Sequence, residues 1–531
     1  MLDNEKDYDV IIAGAGAAGL TAAAYLGKYG YSVLLCDKNE KTGGLVSSFE
    51  YDGFVFDGGI RAFENSGIIF PMLKQLGIEM EFVKNPVSIG IEKSMIRLIS
   101  QESILDYENL LNHYFPDDKE DIEKIMQEVK KVMGYMEVIY GIDNPLFLDY
   151  TEDKKYLFHT LLPWLIKYQK NIKKAMKLNL PVNEYLLNFT KNQSLIDIIT
   201  QHFFKNTPTF FALSYFGLYL DYFYPVGGTN MLNQKLNQYI QEHGGNILTK
   251  GEITTVRADE KRIILRDGRT FSYKKLIWAC DTKKLYQILD SDKLSQIAKI
   301  EEKRRLVNSH KGGDSILTIF LGTSLEKDYF NNRCGPHCFY TPDTKGLTMA
   351  ASGWLKKKYE KQELKEHISE YLLSTTYELS CPALRDSTLA PEHNCGLIIS
   401  TLMDYSLVKK IYEEGWYEEF KDLCIKNVVQ VLNDAIFSEL KANILFSYCS
   451  TPRTIETLTG NSEGAITGWA FTNDKLPSET RLPKIAKSVN TPIPDIYQAG
   501  QWSFSPSGLP VSILTGKLAA DKIRKELGIK N

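Results

Sequence analysis

Apolar residues gather in two textures along this chain. The first is the short, largely apolar run: Val10-Ile11-Ile12-Ala13, Val33-Leu34-Leu35-Cys36, Leu276-Ile277-Trp278-Ala279-Cys280, Ser315 to Leu321 and Leu397 to Leu402. Runs this short, bounded by glycine or polar turns, predict buried strands. Ile253 to Val256 and Arg262 to Leu265, followed by the Asp267-Gly268 turn, predict strands and a hairpin. The second texture is helical spacing. It covers Leu20 to Leu26, Asn230 to Leu236, about 361 to 379, about 416 to 435, and a last segment carrying Val511, Ile513, Leu514 and Leu518. Residues about 71 to 223 read as mostly helical, and about 285 to 454 as mixed. No internal repeat organises the chain.

The first strand runs into Gly14-Ala15-Gly16-Ala17-Ala18-Gly19, and a helix follows. A dinucleotide site needs that order: strand, tight glycine turn, helix N-terminus facing the pyrophosphate. Gly14 makes the turn, Gly16 admits the phosphates, and Gly19 lets the helix lie close to the strand. The second strand delivers Asp37, followed by Lys38, where an acid about 20 residues after the glycines accepts hydrogen bonds from a ribose. The acid argues against a 2′-phosphate. Gly43-Gly44-Leu45 allows a second backbone approach, and Phe56-Asp57-Gly58-Gly59-Ile60-Arg61 follows a turn at Asp52-Gly53.

This series resembles the flavin-dependent amine oxidase and phytoene desaturase superfamily. Further segments are similar to one branch of it: Tyr224-Pro225-Val226-Gly227-Gly228-Thr229, Leu389-Ala390-Pro391-Glu392, Thr451-Pro452-Arg453-Thr454, Gly464 to Trp469, and the ending Gly508-Leu509-Pro510. That branch holds bacterial carotenoid desaturases, carotenoid cis-trans isomerases and retinol saturases. The resemblance spans nearly the whole chain and implies FAD as cofactor. It also implies an α/β fold: a discontinuous Rossmann-like FAD-binding domain, a mixed β-sheet substrate domain and a helical lid. The expected limits are 1–70, 224–284 and 455–531 for the first, 285–454 for the second and 71–223 for the lid. By the same resemblance the cofactor meets Gly14, Gly16, Ala18, Gly19, Asp37, Lys38, Gly43, Gly44, Leu45, Gly59, Ile60, Arg61, Ile253, Ala279, Gly500, Gln501, Gly508, Leu509, Pro510 and Val511. The chain departs from its relatives at Leu45, where many carry Arg, at Arg61, where saturase-like members carry His, and at Gln501, where an acid is common.

Gly508-Leu509-Pro510 reads as a helix start, because proline suits the first turn. The resemblance turns this N-terminus toward the pyrimidine edge of the flavin. Its partial positive charge there stabilises added negative charge without a titrating side chain.

The 531 residues suffice for two or three lobes around a large core. A formal net charge of -3 gives nothing global that attracts nucleic acid. The eight cysteines are scattered, and the opening Met1 to Asp7 is polar and acidic, unlike a signal peptide. A cytoplasmic protein with free thiols is the simplest expectation. Cys334-Gly335-Pro336-His337-Cys338 lacks a second ligand pair, so no metal is expected.

Residues 154–177 place Leu, Phe and Trp beside Lys167, Lys170, Lys173, Lys174 and Lys177. The stretch reads either as an interfacial helix touching a membrane or as a helix packed on the core with a solvated basic face. It is too short and charged to span. The aromatic run Phe210 to Tyr224 precedes the glycine turn, and Phe211, Tyr215, Tyr219 and Tyr222 are candidates to line a cavity for a long hydrophobic ligand. Arg61 is the candidate catalytic residue, with a structural salt bridge as the equal alternative; the histidines show no selecting pattern.

These features point to an FAD-dependent oxidoreductase acting on a C–C or C=C bond of a long hydrophobic molecule such as an isoprenoid, carotenoid, retinoid or unsaturated lipid. Isomerisation of a polyene or fatty acid from reduced FAD is the alternative. An amine oxidase and a flavin-binding scaffold without turnover are further ones.

Overall fold

The computed structural model describes residues 7–148, 156–290, 297–350 and 360–528. Asp7–Ala13 lies between Val33–Cys36 and Thr270–Trp278, parallel to both, and Asn246–Leu248 and Ile496–Gln498 extend the parallel set on either side. Strands buried on both faces need uninterrupted apolar sequence, and Val10, Ile11, Ile12, Val33, Leu34 and Leu35 are fully enclosed. Beyond Thr270–Trp278 the sheet turns antiparallel through Arg262–Leu265 and Ile253–Arg257.

The helix Ala17–Lys28 covers one face of this sheet and packs against the C-terminal helix Leu509–Leu527. Gly516 makes the close crossing possible, since a side chain there would strike the carbonyl of Ala18. The two ends of the chain are thereby locked together.

A second sheet has seven strands among the described residues: Ile444–Ser450, Ser315–Thr323, Cys395–Met403, Tyr377–Ser380, His337–Thr341, Val87–Ile91 and Ser94–Leu98, in that order. One face carries Leu317, Ile319, Leu321, Leu397, Ile399 and Leu379 into a core shared with the helices Lys361–Ser374 and Tyr417–Ala435. The other face looks back toward the first sheet. Across it the register sets Thr318, Ser400, Glu378 and Phe339 side by side.

The stretch 71–223 is mostly helical as expected, and two details differ from the sequence pattern. The stretch read as mostly helical supplies two strands of the second sheet, because Val87–Ile91 pairs in parallel with His337–Thr341, a partner far away in sequence. The helix expected over 361–379 ends at Ser374, and Tyr377–Ser380 joins the sheet.

The described residues of 99–148 and 156–218 form a helical layer. In Lys119–Tyr140 the buried positions Ile122, Ile125, Met126, Val129, Val132, Met136 and Ile139 recur at three- and four-residue spacing, and the charged positions face outward. Leu162–Ala175, Gln193–Thr200 and Thr209–Leu218 pack on the same core.

Candidate flavin and substrate cavity

One cavity runs from the end of the first strand to the second sheet and holds about 2170 Å³ of empty space, counted to its open mouth. At one end lie Gly14, Gly16, Ala18, Asp37 and Asn39, then Gly43, Gly44, Leu45, Gly59, Ile60 and Arg61. Ala279, Gly500, Gln501, Gly508 and Leu509 complete this half of the wall.

Local chemistry explains the shape. Gly14 turns at φ +96°, and a side chain there would meet Cys280 and the backbone of Ala279. Gly43 sits at φ +120° and donates its N–H to the Ala15 carbonyl at 2.7 Å, tying the two glycine turns together. A Cβ on Gly16 would meet no atom within 4 Å, so open space adjoins the helix start. The Asp37 carboxylate accepts N–H bonds from Ala15 and Asn39, each at 2.8 Å, which fixes it at the strand end. The helices Ala17–Lys28 and Leu509–Leu527 both open on the cavity, and neither has an acid in its first turn. Each N-terminus presents free N–H groups and partial positive charge to an anionic ligand.

This half fits FAD: an acid for the ribose, a glycine turn with room beside it for the pyrophosphate, and a second helix start further along. Of the residues expected to hold the cofactor, five lie outside the cavity wall. Gly19 is buried beneath the turn. The Lys38 ammonium donates to the Thr457 carbonyl. Ile253 pairs with Leu265 at a strand start. Pro510 and Val511 belong to the first helical turn behind Leu509.

Arg61 stands in the wall, buried, with its guanidinium engaged by the protein: it donates to the Asp57 and Gly59 carbonyls and to Ser400 Oγ, the last at 3.1 Å. It braces the glycine segment against the second sheet. Asp57, fully buried, joins two of the sequence landmarks. Its Oδ1 accepts from Ser48 Oγ, the Thr229 N–H and Thr229 Oγ1, and its Oδ2 from the Tyr224 hydroxyl, all at 2.8–3.0 Å.

The inner half is walled by Phe203, Phe204, Phe211, Tyr215, Tyr219, Tyr222, Phe339, Ile316 and Leu402. All four residues expected to line a hydrophobic cavity are present. Sequence reasoning did not single out His202, Glu64, His337 and Glu378, which also line it. His337 Nε2 lies 2.9 Å from Glu378 Oε1, and His337 Nδ1 lies 3.3 Å from Asn85 Nδ2. Arg385 holds Asn85 Oδ1 at 3.2 Å. In this network Asn85 donates to Nδ1 and the imidazole donates its Nε2–H to the carboxylate.

Burial works against the charge on Glu378, but His337, Arg61 and Arg385 outweigh it and hold the carboxyl below its ordinary range. Burial lowers His337, against the hydrogen bond and charge of Glu378, which pull the other way. It pushes His202 down to about 3 and Glu64 up to about 7. Among the described residues no group of three or more His, Cys, Asp or Glu side chains is placed to hold a metal ion.

Residues 12–76 match the model of the NAD(P)-binding Rossmann-like domain. The whole chain is 23% identical to a prolycopene isomerase of Daucus carota, over 82% of that protein. It is 21% identical to an all-trans-retinol 13,14-reductase of Danio rerio, covering 93% of this chain and 82% of the relative. A 4,4'-diapophytoene desaturase of Staphylococcus aureus is 22% identical over 98% of this chain and 99% of its own. Among solved structures, an oxidoreductase from Methanosarcina mazei superposes with a TM-score of 0.61 at 14% identity, covering 97% of this chain and 99% of the other. A putrescine oxidase bound to putrescine superposes with a TM-score of 0.59 at 13% identity, covering 98% of this chain and 100% of the other. The chain thus resembles the desaturase, carotenoid isomerase and retinol saturase-like branch of the flavin amine oxidase superfamily along its full length, and shares that superfamily's fold.

Proposed function

We propose that the chain is an FAD-dependent oxidoreductase acting on C–C or C=C bonds of a long hydrophobic polyene or related lipid. The observation that carries this is continuity: the glycine-lined half and the aromatic half are one cavity. The turns at Gly14–Ala18 and Gly43–Leu45, with Asp37, would hold the nucleotide part of FAD. Gly59–Arg61, Gly500, Gln501 and the helix start at Gly508–Leu509 would hold the ring. Bound there, FAD supplies hydride exchange with a neighbouring carbon. The helix start offers N–H donors and positive potential, and the aromatic walls orient the chain and exclude water.

Isomerisation from reduced FAD is the second reading, favoured by the prolycopene isomerase similarity over the entire chain. Purified protein with bound flavin is mixed anaerobically with prolycopene, all-trans-retinol and 4,4'-diapophytoene, before and after chemical reduction. Bleaching of oxidised flavin, or reoxidation with a two-hydrogen mass change, supports net redox. Altered geometry at constant mass supports isomerisation. Absence of flavin bands after FAD is added refutes both.

The hydrophobic substrate is drawn from a membrane surface in this reading. Among the described residues no helix is long and apolar enough to cross a membrane. Lys154 and Lys155 of the basic stretch lie outside the described residues. Phe158, Leu162, Leu165 and Ile166 are exposed, Ile166 to 76%, beside the exposed lysines 167, 170, 173, 174 and 177. Trp164 pins this segment by donating to the Val138 carbonyl at 2.6 Å. Exposed Leu180 is bonded through its carbonyl to Thr209, two residues from Thr207 and Phe211 of the cavity wall. Apolar side chains ringed by lysines favour an anionic bilayer. Co-sedimentation with phosphatidylglycerol vesicles, lost in F158E/I166E, tests this; equal sedimentation of the variant would remove the support.

A further inference from the structure

The inner chamber is aromatic, yet it is badly suited to a bare hydrocarbon. Tyr219 and Tyr222 are nearly enclosed, Tyr215 is half-buried, and none of the three hydroxyls makes a hydrogen bond within the described protein. His202 Nε2 is buried without a partner. Glu378 spends Oε1 on His337, and its other oxygen has no protein donor. The side chains that carry these groups are neighbours in the cavity wall. The Tyr219 ring centre lies 5.7 Å from that of Tyr215, tilted, and 5.7 Å from that of Tyr222, edge-on; Tyr222 stacks at 5.8 Å on His337, and His202 and Tyr219 both contact Phe339, which pairs across the sheet with Glu378. Covering such an array with methyl groups leaves each polar atom desolvated and unpaired, which disfavours a bare hydrocarbon end.

Charge narrows the choice. The charged and titratable groups around Glu378 are Arg61, Arg385 and His337 on the far side, His202 and the three tyrosines across the chamber, and Glu64 beyond Tyr215 and Tyr222. Both guanidiniums are bonded through their terminal nitrogens, Arg61 to Asp57, Gly59 and Ser400, and Arg385 to Arg61, Asn85 and Ser380, while their Nε atoms are buried without a partner. Their terminal nitrogens are thus spent on the protein, and the carboxylate of Glu378 repels an anionic ligand.

We propose that this chamber is a head-group subsite for a neutral, hydroxyl-bearing end of the substrate, with Glu378 accepting from the ligand O–H and the tyrosine hydroxyls donating to its oxygen. The subsite deepens the proposed function and rests on it for the rest of the molecule. It predicts that the hydroxyl-ended polyene is preferred over the hydrocarbon and over the acid.

The test is equilibrium binding, read by tryptophan fluorescence on the FAD-loaded protein without turnover. The probes share one polyene chain: all-trans-retinol, all-trans-retinoic acid, retinylamine and the hydrocarbon axerophtene. Retinol is expected to bind about tenfold or more tightly than the acid and the hydrocarbon. E378Q is expected to shrink the alcohol-over-acid ratio to about threefold or less, and Y222F to weaken retinol while sparing axerophtene. Retained flavin spectra and melting temperatures show that the variants fold. If E378Q does not fold, the wild-type ranking and Y222F decide. Equal affinities, preference for the acid, or an unchanged ratio in E378Q overturns the proposal. Tighter binding of retinylamine overturns the hydroxyl assignment in favour of a cation cage. Failure of all polyenes to exchange electrons with the flavin would sink the proposed function and leave these ratios standing.

Discussion

Replacing Asp57 with alanine is the sharpest single perturbation of this architecture. The carboxylate is 1% exposed and accepts four hydrogen bonds from three residues, Ser48, Thr229 and Tyr224. Its own carbonyl receives Arg61, and the next residues are Gly58 and Gly59 of the cavity wall. Each buried donor left without an acceptor costs roughly 1 to 3 kcal/mol. The Ser48 and Thr229 hydroxyls retain some freedom to turn, so D57A is expected to cost about 4 kcal/mol or more. D57N keeps one acceptor oxygen for Ser48 and Thr229, and the Tyr224 hydroxyl can reverse to accept from the new amide, so its cost is about 1 to 2 kcal/mol. Y224F removes one bond and costs about 1 kcal/mol. Because Asp57 and Tyr224 touch, D57N/Y224F falls short of the sum of the single changes. The assay is urea unfolding of the FAD-loaded protein, followed by tryptophan emission and by release of flavin fluorescence. Flavin release is expected to move first in D57A, since the loop to Arg61 loses its anchor. Equal stability of D57A and D57N, or a D57A cost under about 1 kcal/mol, would refute the idea that this carboxylate knots the two motifs together.

Gly43→Ala forces a side chain to φ +120° and into Val46 and Asn233, so strain of about 1 to 3 kcal/mol should weaken FAD retention roughly tenfold or more, measured by equilibrium dialysis. Glu64 holds its proton to about pH 7 in the folded chain, against an ordinary 4.5. Stability from this group is fully present below 4.5 and is lost as pH rises to about 7, by at most about 3 kcal/mol. E64Q should therefore flatten the fall in melting temperature over that window; parallel curves for E64Q and wild type would show that Glu64 does not titrate so. Removing the exposed apolar pair in F158E/I166E should abolish vesicle binding without altering the melting temperature, because neither side chain is in a core.

The sequence by itself determined the parts whose geometry is local. A strand, a glycine turn and a helix in close succession leave little freedom, and Gly14 to Gly19 with Asp37 are built as their spacing requires. Helical periodicity placed the C-terminal helix, and the aromatic density before Tyr224 marked residues that do face the cavity. Tertiary structure alone decided the rest. Glu378, His337, His202 and Glu64 come from separate segments, and nothing near any one of them in sequence distinguishes it from a surface charge or a core histidine. Strand register brings Glu378 against Phe339 and Ser400, and a parallel pairing carries Val87–Ile91, which precedes the helical layer in sequence, into that sheet. Arg61 makes the same point in reverse. Its position in the cavity wall was legible from the glycine motif, but its engagement depends on the carbonyls and the Ser400 hydroxyl that folding places around it. Local periodicity encodes which elements form; long-range register and burial decide which polar atoms are left to meet a ligand.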